Sequence, residues 1–209
     1  SAPDGYAIGL TSVGPLTVAP HMIAKLPYDP RKDLAPVSLA VTFPNVLVVH
    51  PSVAANSLKE LIALAKSRSG ELNYGSSSTG SSNHLASELF NAMAGVKIVR
   101  VAYRGNAQAI SAVIGGEVQV AMQTVPIATP QIKAGKVKAL AVTSVQPSAL
   151  APGLPTVAAS GVSGFESASV TGVFAPARTP AALVGRLNQE MVRVLRDDGI
   201  RQKLLVGGL

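Results

Sequence analysis

At 209 residues, with 47% hydrophobic and 14% charged side chains, the chain has the composition of one or two packed domains and excludes a disordered segment. No apolar run approaches the ~18 residues that suggest a membrane span, and the absence of cysteine excludes disulfides and thiolate metal sites. A net charge of +7 with aromatics at only 4% and scattered Lys and Arg leaves few platforms for stacked bases and suits small anions better than nucleic acid.

The opening Ser1-Ala2-Pro3-Asp4-Gly5 has no starting Met and no signal pattern, so a processed or truncated start is expected. Residues 6–10 and 45–49 read as strands. Ser57 with Glu60 forms a capping box, and Leu58, Leu61, Ile62 and Ala65 supply the buried stripe of the helix that follows. A short strand at 72–74 leads into a serine-rich loop. The next helix starts at Ser81 or Ser82, carries Ala86, Leu89, Phe90 and Met93 on its buried face, and stops at Gly95.

Residues 98–103 form another strand, Arg104-Gly105-Asn106 a tight turn, and Asn106 caps a helix ended by Gly115-Gly116. A strand at 118–122, a helix ending at Gly135 and a strand at 137–142 complete successive βα units, whose expected product is a parallel sheet covered on both faces. The Pro-, Ala- and Ser-rich stretch 147–155 reads as a connecting loop and candidate domain boundary. Beyond it come a strand at 169–174, a helix from Thr179-Pro180 with Leu183, Leu187, Met191 and Val194 on one face, and a final helix capped by Asp198. The end at Gly207-Gly208-Leu209 leaves room for a further segment.

The loop Asn73-Tyr74-Gly75-Ser76-Ser77-Ser78-Thr79-Gly80-Ser81-Ser82-Asn83-His84 joins a strand to a helix through small, donor-rich residues. Glycines admit close approach, and the unpaired N–H groups of a helix's first turn favour an anion. In parallel sheets ligands gather beyond the carboxyl ends of strands, which brings in a second loop, Arg104-Gly105-Asn106. Arg104 reads equally well as an anion donor or a solvated charge, and His84 as a ligand donor or a local cap.

Enzyme signatures fail. Gly75 and Gly80 have P-loop spacing, but Ser81 stands where that motif needs Lys. A nucleophile elbow around Ser77 would need a glycine where Thr79 stands. His21 and His50 lack metal-ligand spacing, and Asp29, Asp33, Asp197 and Asp198 sit in turn or cap contexts, so neither a metal site nor a triad is identified. No catalytic residue, metal or cofactor is assigned.

A set of strings carries a resemblance: Leu26-Pro27-Tyr28-Asp29-Pro30-Arg31-Lys32-Asp33-Leu34-Ala35-Pro36-Val37, Ser57-Leu58-Lys59-Glu60-Leu61, Leu72-Asn73-Tyr74-Gly75-Ser76-Ser77, Tyr103-Arg104-Gly105, Ile114-Gly115-Gly116-Glu117-Val118-Gln119, Lys133-Ala134-Gly135-Lys136, Leu140-Ala141-Val142-Thr143, Leu154-Pro155-Thr156-Val157 and Phe174-Ala175-Pro176. Their order and spacing resemble the Bug (TctC-like) solute receptors of tripartite tricarboxylate transporters across nearly the whole chain. The resemblance implies an α/β fold of the type II periplasmic binding-protein kind. Its two domains, 1–44 with 167–209 and 45–166, enclose a cleft that takes a small mono- or dicarboxylate. It implies a periplasmic, monomeric, non-enzymatic receptor partnered by the transporter's membrane components. The alternatives are a sensory receptor with the same pocket and, more remotely, a serine hydrolase using Ser77 or Ser81.

By the same resemblance, the ligand residues are Gly75, Ser76, Ser77, Thr79, Gly80, Ser81 and His84 in the serine loop. Tyr103, Arg104, Gly105 and Ala107 lie alongside, with Gln123 and Thr124 at a strand end, and Ser12 and Val13 form the opposite wall. The family's opening strand, its glycine-containing carboxylate loop and the following helix are expected before Ser1, so this chain is expected to bind weakly alone or to need that segment. Gln123 stands where many members carry Asp, which implies a ligand without a cationic amine at that point, and Val170-Thr171 replace an aromatic pair.

Overall fold

The computed structural model describes residues 2–12 and 14–206; the expectations placed on Val13, on Ser1 and on Gly207-Gly208-Leu209 lie outside them. In chain order the elements are β1 (Gly9–Ser12), a π-helical turn (Gly14–Val18), α1 (Ala19–Met22), α2 (Pro30–Asp33), β2 (Leu34–Val49), α3 (Leu58–Ser67), β3 (Asn73–Ser76), α4 (Ser82–Ala94) and β4 (Val99–Ala102). They continue with α5 (Asn106–Ile114), β5 (Val120–Thr124), α6 (Val125–Lys133), β6 (Lys138–Val142), β7 (Ala168–Pro176), α7 (Ala181–Leu195) and α8 (Asp198–Val206). Two compact units result: unit 1, residues 1–42 and 169–209, and unit 2, residues 43–168.

In unit 1, β1 pairs antiparallel with β7, from Gly9 opposite Phe174 to Ser12 opposite Thr171, and β7 lies between β1 and β2. Its core is small: Val37, Val173 and Ala175 are buried beneath Val184, Leu187 and Met191 of α7. Asn188 of the same helix donates to the Val37 carbonyl at 2.7 Å. The strand expected at 6–10 begins later, at Gly9, and Tyr6 and Ile8 are exposed. Leu183 and Val194, expected in the buried stripe of α7, are also exposed. The cap of α8 is Asp197, whose carboxylate accepts from Ile200 N at 3.0 Å, rather than Asp198.

In unit 2 the strand order is β6-β2-β5-β3-β4. β3 is parallel to β4 and β5, but β2 runs antiparallel to both β5 and β6, so the expected all-parallel sheet is a mixed one. The reason lies in Val46, Leu47, Val48 and Val49, all fully buried. A strand covered on both faces reads as a continuous apolar run whatever its direction. One face packs Leu47, Val49, Tyr74, Met122 and Phe90 with α3 and α4; the other packs Val46, Val48, Ala121, Ile110 and Val113 with α5 and α6.

Local signals set the helix ends. Ser57 Oγ accepts from Glu60 N at 3.3 Å while Glu60 reaches back to Asn56 N at 2.7 Å, a capping box displaced by one residue. Gly95 closes α4 with φ of 61°, a conformation nearly free for glycine alone. Gly105, not Asn106, is the N-cap of α5, which frees the Asn106 side chain for another partner. On α4 the buried positions are Asn83, Ala86, Ser87 and Phe90, whereas Leu89 and Met93 are 39% and 41% exposed. Phe90 meets the core as expected, while Asn83, Ala86 and Ser87 take the rest of the buried face in place of Leu89 and Met93.

The 147–155 stretch lies within unit 2 and is not a boundary. Leu150, Ala151 and Leu154 pack on the α5–α6 face, and Thr156 forms a parallel bridge with Val142. Just beyond β6, Thr143 ties together both chain segments that leave unit 2. Its Oγ1 accepts from Asn45 N at 2.8 Å and donates to Ser167 O at 2.6 Å. Its backbone N–H donates to Asn45 O, and its carbonyl accepts from Ser167 N.

Gly75 sits inside β3, and a Cβ there would meet Val118 Cγ2 at 3.1 Å, the Ala109 carbonyl at 3.3 Å and Tyr103 Cε2 at 3.3 Å. Close packing of α5 and the Tyr103 ring therefore accounts for this glycine. Gly75→Ala is expected to lose about 1–3 kcal/mol, the usual cost of overpacking, measured as a lower denaturation midpoint at unchanged slope.

Candidate functional site

Three parallel strands, β5, β3 and β4, end side by side, and each feeds a helix: β5 into α6, β3 through residues 77–81 into α4, β4 through residues 103–105 into α5. The first turns of these helices have N–H groups with no partner inside the helix; α6 supplies one fewer because Pro126 has none. Gly80, at φ of 82°, turns the loop back toward α4.

Asn83 holds this end of unit 2 together. Its Oδ1 accepts from Ser77 Oγ at 2.9 Å, Ser81 Oγ at 2.6 Å and His84 N at 3.0 Å. Its Nδ2 donates to Asn106 Oδ1 at 3.0 Å. The residue is 1% exposed, so one buried carboxamide couples the serine loop to the start of α5. Part of the amide supply expected for a ligand is thereby used internally. His84 N goes to Asn83, Gly80 N to His84 Nδ1 at 3.1 Å, and Ser81 N to Ser78 O. Both Ser77 and Ser81 hydroxyls donate to Asn83 and not to a histidine, so neither has the base contact a serine nucleophile needs.

Arg100, on β4, was not anticipated. Its Nε donates to Ser76 Oγ at 2.8 Å, Nη1 to Thr79 Oγ1 at 3.1 Å and Nη2 to the Ser77 carbonyl at 3.0 Å. The register places Arg100 opposite Tyr74, and so on the face from which Ser76 also projects. A guanidinium spreads several donors in a rigid plane, so Arg100 fixes three points of the loop at once and leaves a cation beneath it. The nearby acids are engaged: Glu88 accepts from the Tyr74 hydroxyl and Glu117 from the Tyr103 hydroxyl at 2.9 Å. Burial and the Glu88 bond push the Tyr74 hydroxyl well above the usual phenol range, and burial and Glu117 push Tyr103 to about 12.

His84 is held below the usual imidazole range by burial first and by Arg100 second, against an opposing pull from Glu88. With Nδ1 accepting from Gly80 N, the neutral ring carries its proton on Nε2. The unfolded chain binds this proton more readily than the folded one. The stability tied to neutral His84 is therefore complete above about pH 6.5 and falls as pH drops through the depressed folded value. Urea denaturation between pH 7 and pH 5 should show this loss, and His84→Gln should remove that part of the slope.

The other expected residues fall as follows. Ser76 is buried, Thr79 and Ala107 are exposed, and Gly105 is half-buried at the α5 N-cap. Arg104 is exposed; its N–H donates to Gln108 Oε1, and its guanidinium has no salt bridge among the described residues. Thr124 is the N-cap of α6, without a side-chain cap bond. Gln123 is 0% exposed, and both polar atoms of its carboxamide lack a partner. Ser12 ends β1 in unit 1. Among the described residues no group of three or more His, Asp or Glu could hold a metal ion, and no helix is long and apolar enough to cross a membrane.

Helix starts gathered over parallel strands, with a clamped hydroxyl loop between them, form an α/β arrangement suited to a small anion, and the solved structures it resembles include a periplasmic transporter and the periplasmic binding protein BugD. Residues 1–209 match the family model described as Tripartite tricarboxylate transporter family receptor, TctC, and the chain belongs to that family, as the quoted strings led one to expect. Protein BugT of Bordetella pertussis is 32% identical over 209 residues, which cover 100% of this chain and 64% of BugT. The structure of R. palustris Rpa4515 with adipate matches with a TM-score of 0.92 at 35% identity, covering 100% of this chain and 70% of that one. MatC (Rpa3494) from Rhodopseudomonas palustris with bound malate matches with a TM-score of 0.86 at 29% identity, covering 100% and 71%. The chain spans 57%, 64% and 58% of the length of three curated relatives it matches.

Proposed function

We propose that this chain is a periplasmic solute receptor that captures a small mono- or dicarboxylate and delivers it to the membrane components of a tripartite tricarboxylate-type transporter. The observation that carries the reading is the Arg100 clasp, a fixed guanidinium under a loop of hydroxyls where three helices begin. A carboxylate beside it gains charge-assisted hydrogen bonds of roughly 1.5–3 kcal/mol each. Helix ends add only about 0.3–1 kcal/mol apiece, so direct donors dominate. Thr79, Gly105 and Ala107 are the proposed carboxylate contacts, with Gln123 and Thr124 meeting the rest of the solute, while the Ser77 and Ser81 hydroxyls, already donating to Asn83, hold the loop in shape.

Adipate and malate in two related structures support carboxylates as the ligand class. Thermal-shift screening with succinate, malate and adipate tests it: an acid at a hundredfold excess over its Kd stabilises by about 2.7 kcal/mol. A screen of mono- and dicarboxylates in which none raises the melting temperature would overturn the reading.

A further inference from the structure

One bond in the serine loop can be broken by a single proton. Gly80 is buried and donates its N–H to His84 Nδ1 at 3.1 Å. An imidazole nitrogen that accepts in the neutral ring becomes a donor once protonated, so the imidazolium would leave Gly80 N–H facing another N–H. A buried donor without an acceptor is costly. The acceptors around it are in use. Ser76 Oγ, the Ser77 carbonyl and Thr79 Oγ1 take the Arg100 bonds, Ser78 O takes Ser81 N, and Asn83 Oδ1 has three donors. Burial, and after it Arg100 on β4, keep the ring neutral, while Glu88, one turn along α4 and bonded to Tyr74 of β3, pulls the other way.

We infer that His84 is a proton-operated latch on the serine loop: the neutral ring withholds Gly80 N–H, and a carboxylate arriving at the loop is captured together with a proton that His84 takes from solvent. This rests on the carboxylate reading above. The arriving anion supplies the acceptor that Gly80 N–H loses, and Gly80, at φ of 82°, has the backbone freedom to re-aim that group. Its charge also offsets the repulsion between Arg100 and the imidazolium. Both effects make the ring hold its proton more tightly with the anion bound than without it. By linkage, affinity is level at high pH and rises as pH falls from the liganded toward the unliganded titration point of His84.

Calorimetry with adipate and with malate at about pH 8 and about pH 6, where carboxylic acids stay largely ionised, tests this. Binding is expected to be about three- to tenfold tighter at the lower pH, tenfold being the equivalent of a rise of about one unit in the His84 pKa. Heats measured at the lower pH in two buffers of unlike ionisation enthalpy should differ, because the buffer yields the proton. In His84→Gln, whose side-chain oxygen can accept from Gly80 N without titrating, both effects should vanish. Should that variant not fold, the unmodified protein decides by NMR: the Gly80 amide resonance should move with the His84 ring across a pH titration, and adipate or malate should raise their common midpoint. A ring that titrates while Gly80 stays still would overturn the latch, as would a pH dependence that survives in His84→Gln. Equal affinity at both pH values with no proton taken up would overturn it too, leaving the carboxylate reading in place. Binding of no acid at either pH would overturn that reading, and this one with it.

Discussion

Asn83→Ala is expected to destabilise the protein by about 2–4 kcal/mol and to abolish carboxylate binding. The stability figure follows from the four hydrogen bonds this side chain makes, each worth about 1 kcal/mol net when buried, with Ser77, Ser81 and Asn106 left to find other partners. The binding loss follows from geometry: without Asn83 the serine loop is no longer tied to the start of α5. Urea denaturation reads the first effect and calorimetry the second. Asn83→Asp separates shape from charge. It keeps the acceptor for both serines, and the Asn106 amide can turn to donate, so the fold should survive. The added negative charge should still weaken an anion by roughly 1–3 kcal/mol. An Asp variant that binds as well as the unmodified protein would place the carboxylate elsewhere.

Arg100→Met should lower carboxylate affinity about 100-fold, or 2.7 kcal/mol, with a smaller loss of stability. Arg100→Lys should recover little of it. One ammonium cannot occupy three directions at once, and the guanidinium contacts Ser76 Oγ, the Ser77 carbonyl and Thr79 Oγ1 together. A second readout is independent of any ligand. Arg100 is one of two influences that lower the His84 pKa, so its removal should raise that value, visible in the histidine ring resonances across a pH titration. An unmoved His84 together with unchanged affinity would refute the role given to Arg100.

Neither residue was legible in the sequence, and the reasons differ. Arg100 lies in the run Val99-Arg100-Val101, where alternation alone would give it either face of a short strand. Its partners lie 21 to 24 positions away and meet it only because β3 and β4 pair with Tyr74 opposite Arg100. Asn83 was passed over because the apolar pattern of α4 nominated Leu89 and Met93, which are exposed. The Asn83 carboxamide finds part of its bonding in Asn106, on another element, 23 positions away. The serine loop itself, the Ser57 and Glu60 cap and the Gly95 stop were readable, since each depends on residues within a few positions. The direction of β2 was not, because burial on both faces erases the alternation that would mark a strand with one solvated side.

The knot at Thr143 has a consequence for how this molecule can be taken apart. Asn45 and Ser167 stand close to the two points at which the chain enters and leaves residues 43–168, and one threonine bonds to both. A segment whose beginning and end lie side by side behaves as an insert within a host sequence, and such segments tolerate excision and circular permutation. Residues 43–168, expressed alone or rejoined through a short glycine linker, would carry the Arg100 clasp and the Asn83 hub as a freestanding module.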